Sequence, residues 1–272
     1  MKTRDKIEEL LDDAEDALDE GDPGTAIELC DQALVLDKEH PGAHFVRGDA
    51  LRSIGELEEA ELAYRRAALA RPDHAASWAA LALTQYELLQ FEAAERSVSR
   101  TLHEDAMHPE GWWVRSLLQE RQGDVLGAHR SLVHARWLDP VGFPLPPRLD
   151  DEQVEEIVTE AISELHPTLQ EYLKNVAIML EEVPDDDILR QYDPPASPLE
   201  LLGYFSGHSL MERSENDPWS GLPGTIVLYR RNLERHARSH EELVHELRIT
   251  LFHEVGHFLG LDEEDLEERG LD

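Results

Sequence analysis

The chain has a single cysteine, Cys30, among its 272 residues, so no internal disulfide can staple it and a reducing compartment suits it. No run of about 18 apolar residues is present to cross a bilayer. The opening stretch, MKTRDKIEELLDDAEDALDE, is charged throughout and lacks the apolar core and cleavage site of a signal peptide. The expected location is cytoplasmic, with no membrane partner. Basic residues are also scarce: 25 Lys and Arg face 59 Asp and Glu, a formal net charge of −34. The deficit is shared, with 15 basic against 29 acidic side chains in residues 1–140 and 10 against 30 in residues 141–272. A phosphate backbone would be repelled, which excludes nucleic acid as a direct ligand. The acidity itself reads as a solvated surface that keeps the chain soluble.

Small residues recur with a fixed period. Ala26, Ala60, Ala94 and Ala128 are spaced by 34 residues, and so are Ala33, Ala67, Thr101 and Ala135, and Ala14, Gly48, Ala82 and Ser116. Small side chains are needed where paired helices approach most closely, and glycines at Gly21, Gly55 and Gly123 mark the turns between them. With Trp78 and Trp112, and with Pro72 and Pro140 closing repeats, this resembles the tetratricopeptide repeat. Four repeats follow, at about 7–40, 41–74, 75–108 and 109–140, above the roughly three needed to bury a continuous core. The register places Cys30 at the offset of Tyr64, Val98 and Leu132, a core position, and makes Trp78 and Trp112 structural. The resemblance puts Phe45, Tyr86 and Trp113 on the groove, where they are candidate anchors for a protein partner as well as packing residues. The groove offsets carry mixed charge, so a basic clamp for an acidic tail is not expected.

The register stops before Val141–Leu149 (VGFPLPPRL), whose prolines mark a linker over 141–149. Beyond it, 150–272 reads as a small α+β domain: an amphipathic helix over Asp151–Leu165, a short helix over Leu169–Leu173, and strands over Val176–Val183, Leu201–Phe205 and Thr225–Arg230. Asp185–Pro198 reads as a solvated loop, because its aspartates lack the glycine and distal glutamate of an EF-hand. Gly207–Gly224 is a long polar connection containing Asn216-Asp217-Pro218-Trp219.

The final helical pattern carries the chemistry. Ser239 and Glu242 form an expected capping box, and Leu243, Leu247, Leu251, Val255, Phe258 and Leu259 recur at helical spacing. Within it lies His253-Glu254-Val255-Gly256-His257, an H-E-x-x-H box. Histidines four residues apart lie about 40° apart around a helix, so both imidazoles reach one metal ion, and Glu254 reaches a water there. Gly260 can reverse the chain and bring back a carboxylate from the run Asp262-Glu263-Glu264-Asp265. Two histidines and one carboxylate leave a fourth position open, as catalytic zinc requires. His236, His240 and His245 read as surface residues, His245 lying more than two turns from His253.

The segment from about 150 resembles the mini-zincin metallopeptidases, whose H-E-x-x-H-x-x-G-x-x-D pattern is here H-E-V-G-H-F-L-G-L-D-E. Leu173-Lys174-Asn175-Val176 through Pro184, Leu201-Leu202-Gly203-Tyr204 through Gly207, and Leu222-Pro223 through Arg230 extend the likeness. The family's aspartate position is Glu263, with Asp262 or Glu264 as alternatives in this longer-armed variant. The resemblance implies one Zn²⁺ per chain held by His253, His257 and Glu263, with Glu254 as general base in peptide-bond hydrolysis. It also implies that an extended substrate adds to a sheet edge, for which Thr225–Arg230 is the candidate; Tyr229 on that strand reads as packing. The expected protein is a helical repeat array that recruits a substrate or partner to a zinc peptidase. The alternative is a non-catalytic adaptor with a structural or vestigial zinc site.

Overall fold

The structure, a computed structural model, describes residues 2–211, 224–262 and 265. It divides into two compact units, Met1–Leu145 and Pro146–Asp272.

The first unit is all helix: α1 Lys2–Asp19, α2 Pro23–Leu36, α3 Pro41–Ser53, α4 Leu57–Ala70, α5 Ala75–Glu87, α6 Phe91–Glu104, α7 Pro109–Arg121 and α8 Val125–Leu138. They pack as four consecutive pairs, each stacked on the next. The periodic small residues explain the pairing. All are buried, and a Cβ on Gly48 would lie 2.6 Å from the Tyr64 ring, so that approach of α3 to α4 is open only to glycine. Trp78 and Trp112 hold the turns, their indole N–H groups donating to the carbonyls of Pro72 (3.0 Å) and Ala106 (2.8 Å). Gly21, Gly55 and Gly123 take φ values of 79°, 81° and 75°, and Leu89, the same offset in the third repeat, adopts φ 57°.

The array closes chemically at its far end. Leu34 packs with Ala43, Ala68 with Ala80, and Leu102 under Gly111, each contact joining one repeat to the next. The equivalent residue of the fourth repeat is the exposed Arg136, which offers no apolar seat for a fifth.

The first helices of the pairs share a set of charged groups. Arg52 forks onto Glu87 through Nε (2.9 Å) and Nη2 (2.8 Å), and the Tyr64 hydroxyl donates to Asp49 (2.7 Å). Burial pushes the carboxyls of Asp49 and of Glu110 up to about 6. Of the three expected groove aromatics, Tyr86 is fully buried, stacked edge-on against Phe91, and is no anchor. Phe45 packs against Tyr64 and His74, and Trp113 against Phe143; both remain partly exposed.

The second unit comprises α9 Asp151–Glu164, α10 Pro167–Leu173, β1 Ala177–Glu181, the single turn α11 Asp186–Leu189, β2 Gly203–Ser206, β3 Thr225–Tyr229, α12 Arg230–His236 and α13 His240–Leu259. Asp150 and Gln153 cap α9 reciprocally. The strand order is β1-β3-β2, with β1 parallel and β2 antiparallel to β3. This corrects one expectation: the strand from Thr225 is the centre of the sheet, paired on both sides, and therefore presents no edge to a substrate. It also ends one residue early, because Arg230 opens α12, where buried Asn232 donates to the carbonyls of Pro198 (3.2 Å) and Leu201 (2.7 Å). The core joins α9, the sheet, α12 and the apolar face of α13, and Leu149, the last residue of the proline-rich stretch, lies in it. Burying Leu243, Leu247 and Leu251 is worth about 1.5–3 kcal/mol each, which fixes the rotation of α13 about its axis.

Candidate metal centre

The helix α13 starts where its capping signals place it, with the Ser239 hydroxyl accepting from the Glu242 N–H at 3.1 Å. The reciprocal half of the capping box differs: the Glu242 carboxylate accepts from the Arg238 N–H (2.6 Å), one residue further out, rather than from Ser239. At the other end Gly260 takes φ 92°, the Gly260 N–H bonds the His257 carbonyl, and the Leu261 N–H bonds the Gly256 carbonyl, both at 3.0 Å. This is a Schellman closure, and it turns the chain back across the helix end.

That reversal orients a histidine. The His257 Nδ1 lies 3.3 Å from the Leu261 carbonyl oxygen, which can only accept, so Nδ1 carries the proton and Nε2 presents a lone pair. The Nε2 atoms of His253 and His257 are 3.0 Å apart, with the rings crossed at 80°. Two imidazoles at about 2.0–2.1 Å from one tetrahedral zinc would hold their nitrogens about 3.3 Å apart. The two partly buried side chains thus fit the same ion.

Glu254 is buried on the side of the helix facing the sheet. Its place depends on β2: a Cβ on Gly203 would stand 2.9 Å from Glu254 Oε1, 3.0 Å from its Cγ and 2.8 Å from Thr250 Cγ2. Gly203 therefore forms the floor on which the carboxylate rests, a role that a glycine inside a strand signals only in general terms. The Leu210 N–H bonds the Phe258 carbonyl (2.8 Å), tying the segment after β2 to the last turn of α13.

The third expected ligand, Glu263, lies outside the described residues, as do its alternative Glu264, the stretch Asn216-Asp217-Pro218-Trp219 and Leu222-Pro223. Asp262 is exposed and its Oδ1 accepts the Asp265 N–H at 2.9 Å. Among the described residues no group of three metal-ligating side chains converges. Tyr229 is fully buried; burial and then the nearby Glu181 push its hydroxyl far above the ordinary phenol range. Among the described residues no helix is long and apolar enough to cross a membrane.

Residues 173–271 match the family model of the zincin-like metallopeptidases, and residues 17–83 that of the tetratricopeptide repeat. No curated protein matches the chain. Similar solved structures include MamA (23% identity over 49% of this chain and 78% of that one, TM-score 0.45). Others are TTC0263, a thermophilic TPR protein of Thermus thermophilus (21%, 50% and 75%, TM-score 0.44), and pilF of Pseudomonas aeruginosa (16%, 64% and 73%, TM-score 0.48). The chain thus pairs a tetratricopeptide-like helical array, matched over 17–83, with a small second unit that the zincin-like metallopeptidase model matches over 173–271.

Proposed function

We propose that the second unit hydrolyses peptide bonds, with His253, His257 and Glu263 holding one Zn²⁺ per chain. The observation that carries this reading is the pair of Nε2 atoms 3.0 Å apart, one with its tautomer set by the Leu261 carbonyl, beside the buried carboxylate of Glu254. When bound, zinc supplies Lewis acidity, polarising the scissile carbonyl and lowering the pKa of water to about 7. Glu254 accepts a proton from the attacking water as its oxygen bonds the carbonyl carbon. The same carboxylic acid then delivers that proton to the leaving nitrogen as the C–N bond breaks, and Glu254 returns to its starting state. The floor at Gly203 restricts where that carboxylate can move.

An extended substrate needs an unpaired strand edge. With β3 central, β2 takes that role in this reading: among the described residues it pairs only with β3, and Gly203 on it touches Glu254. Tetratricopeptide repeats bind proteins, so the first unit recruits a peptide or protein substrate or partner and raises its effective concentration near the hydrolytic unit.

The test is zinc content by elemental mass spectrometry together with cleavage of unfolded peptides. Wild type should retain about one zinc per chain. Glu263→Ala should lose the metal, and Glu254→Gln should keep it while turnover falls by at least about 10²-fold. A metal-free wild type after reconstitution, or a fully active Glu254→Gln, overturns the proposal; metal without cleavage of any peptide points instead to an adaptor.

A further inference from the structure

The outward face of α8 departs from those of its register partners α2, α4 and α6. Leu126, Arg130, Val133 and Trp137 are spaced by four, three and four residues and so form one ridge along α8. Leu126 is 74% exposed, Val133 40% and Trp137 66%, and Arg130 is exposed between them. The 34-residue register supplies the comparison. The same four offsets are Gly24, Glu28, Asp31 and Val35 in the first repeat, Glu58, Leu62, Arg65 and Leu69 in the second, and Glu92, Arg96, Ser99 and His103 in the third. The fourth repeat is the one in which three of four are apolar and none is acidic.

Charge separates this helix as well. In a chain of net −34, the stretch Val125–Leu138 contains no Asp or Glu and carries Arg130, Arg136, His129 and His134. The terminal aspartates are occupied as caps: Asp124 accepts the Gly127 N–H (2.9 Å), and Asp139 accepts those of Val141 (3.1 Å) and Gly142 (2.9 Å). Aromatic stacking extends the ridge sideways. His134 lies 4.4 Å from the Trp112 ring and 5.6 Å from that of Trp137, and the Arg115 guanidinium sits 5.3 Å above Trp112. Exposed tryptophan and arginine are residue types enriched at the energetic centres of protein interfaces.

We propose that this ridge, rather than the groove alone, is a docking surface for an acidic protein segment that carries apolar side chains at helical spacing. Complementarity selects that partner. Arg130, Arg136 and Arg115 seek carboxylates, while Trp137, Leu126 and Val133 need apolar cover. An anionic bilayer is disfavoured, since a broad charged plane brings much more of a −34 chain within a Debye length of about 8 Å than a single helical segment lying on the ridge and its arginines. A second copy is disfavoured too, because the acidic helices α1 and α9 have both turned apolar residues into their own cores, Ile7, Leu10, Ala14 and Ala17 in one and Val154 and Ala161 in the other.

The probe is a fluorescein-labelled helical peptide with leucines at three- and four-residue spacing and glutamates between them, titrated with the full-length protein by anisotropy. Wild type should bind it at least tenfold more tightly than the same peptide with glutamine or lysine in place of glutamate. Trp137→Ala should weaken binding at least tenfold. The double variant Arg130→Glu, Arg136→Glu should transfer the preference to the lysine peptide. Both variants alter exposed side chains, and Leu126→Ser supplies a third should either lower the melting temperature. Equal binding of the three peptides, binding indifferent to Trp137, capture by anionic vesicles through the same residues, or concentration-dependent self-association abolished by Trp137→Ala would each overturn the proposal.

Discussion

Leu89 occupies a backbone conformation that its three register partners leave to glycine. A left-handed leucine costs about 1–2 kcal/mol, and its burial recovers a similar amount. Leu89→Ala keeps the strain and loses the burial, whereas Leu89→Gly loses both. Chemical denaturation should therefore rank the glycine variant at least as stable as the alanine variant, the reverse of the ordinary order inside helical proteins. Gly203 makes the opposite case, where a single methyl group is too much. Gly203→Ala should displace the Glu254 carboxylate and lower peptide turnover by about 10²-fold while the zinc content stays at the wild-type level. An unchanged rate would show that the carboxylate does not depend on this floor. At this scale the sequence was partly legible. The identities His253, Glu254 and His257 are written in the motif, but the Leu261 carbonyl that orients His257 is backbone, and no side-chain pattern encodes it.

The helices of the array begin in an unusual way. His40, His74 and His108 recur at the 34-residue period and stand at the N-cap positions of α3, α5 and α7, the side chains of His40 and His108 closing the helix ends. The Nδ1 atoms of His40 and His108 accept the N–H groups of Ala43 (3.2 Å) and Gly111 (3.3 Å), and that of His74 meets the Ser77 hydroxyl (2.8 Å). Only an unprotonated Nδ1 can accept. Burial holds His108 and His74 below the ordinary imidazole value, so their stabilisation is present above about pH 6.5 and is lost as the pH falls through their lowered values. The raised carboxyls of Asp49 and Glu110 act with the other sign: their contribution is full below the ordinary carboxylate range and is lost as the pH rises through about 6. The two sets oppose each other as the pH falls below about 6.5 and through about 6. His74→Asn with His108→Asn should thus make thermal stability rise on acidification relative to wild type, and Asp49→Asn with Glu110→Gln should make it fall; parallel pH profiles for all three proteins would refute the assignment. Elements whose signals are local were readable from sequence: the caps of α13, the small-residue period and the amphipathic α9. The sheet order was not, because which strand lies centrally depends on pairing between segments some twenty to fifty residues apart, and Arg230 opening a short helix depends on the seat that Pro198 and Leu201 provide for Asn232.

Taken as a whole, the molecule places repetition and singularity in separate units. Stability in the array is distributed over nearest-neighbour seams, and the position that seats each following repeat is an exposed arginine, Arg136, in the last pair. The second unit instead concentrates its requirements in one helix whose two ends are both chemically specified. Cys30 sits in the seam between the first two repeats, enclosed by Ala14, Ala17, Ala26, Val46 and Ala50, and burial pushes its thiol up to about 12. Only the thiolate reacts with an alkylating or disulfide reagent, so in the closed array this sulfur is protected twice, by enclosure and by protonation. The protein consequently carries a built-in clock with a single hand. The rate at which a thiol reagent modifies native protein should measure how often the first repeat parts from the second. It should run far slower than for a free cysteine peptide at the same pH and accelerate with denaturant as the first seam opens.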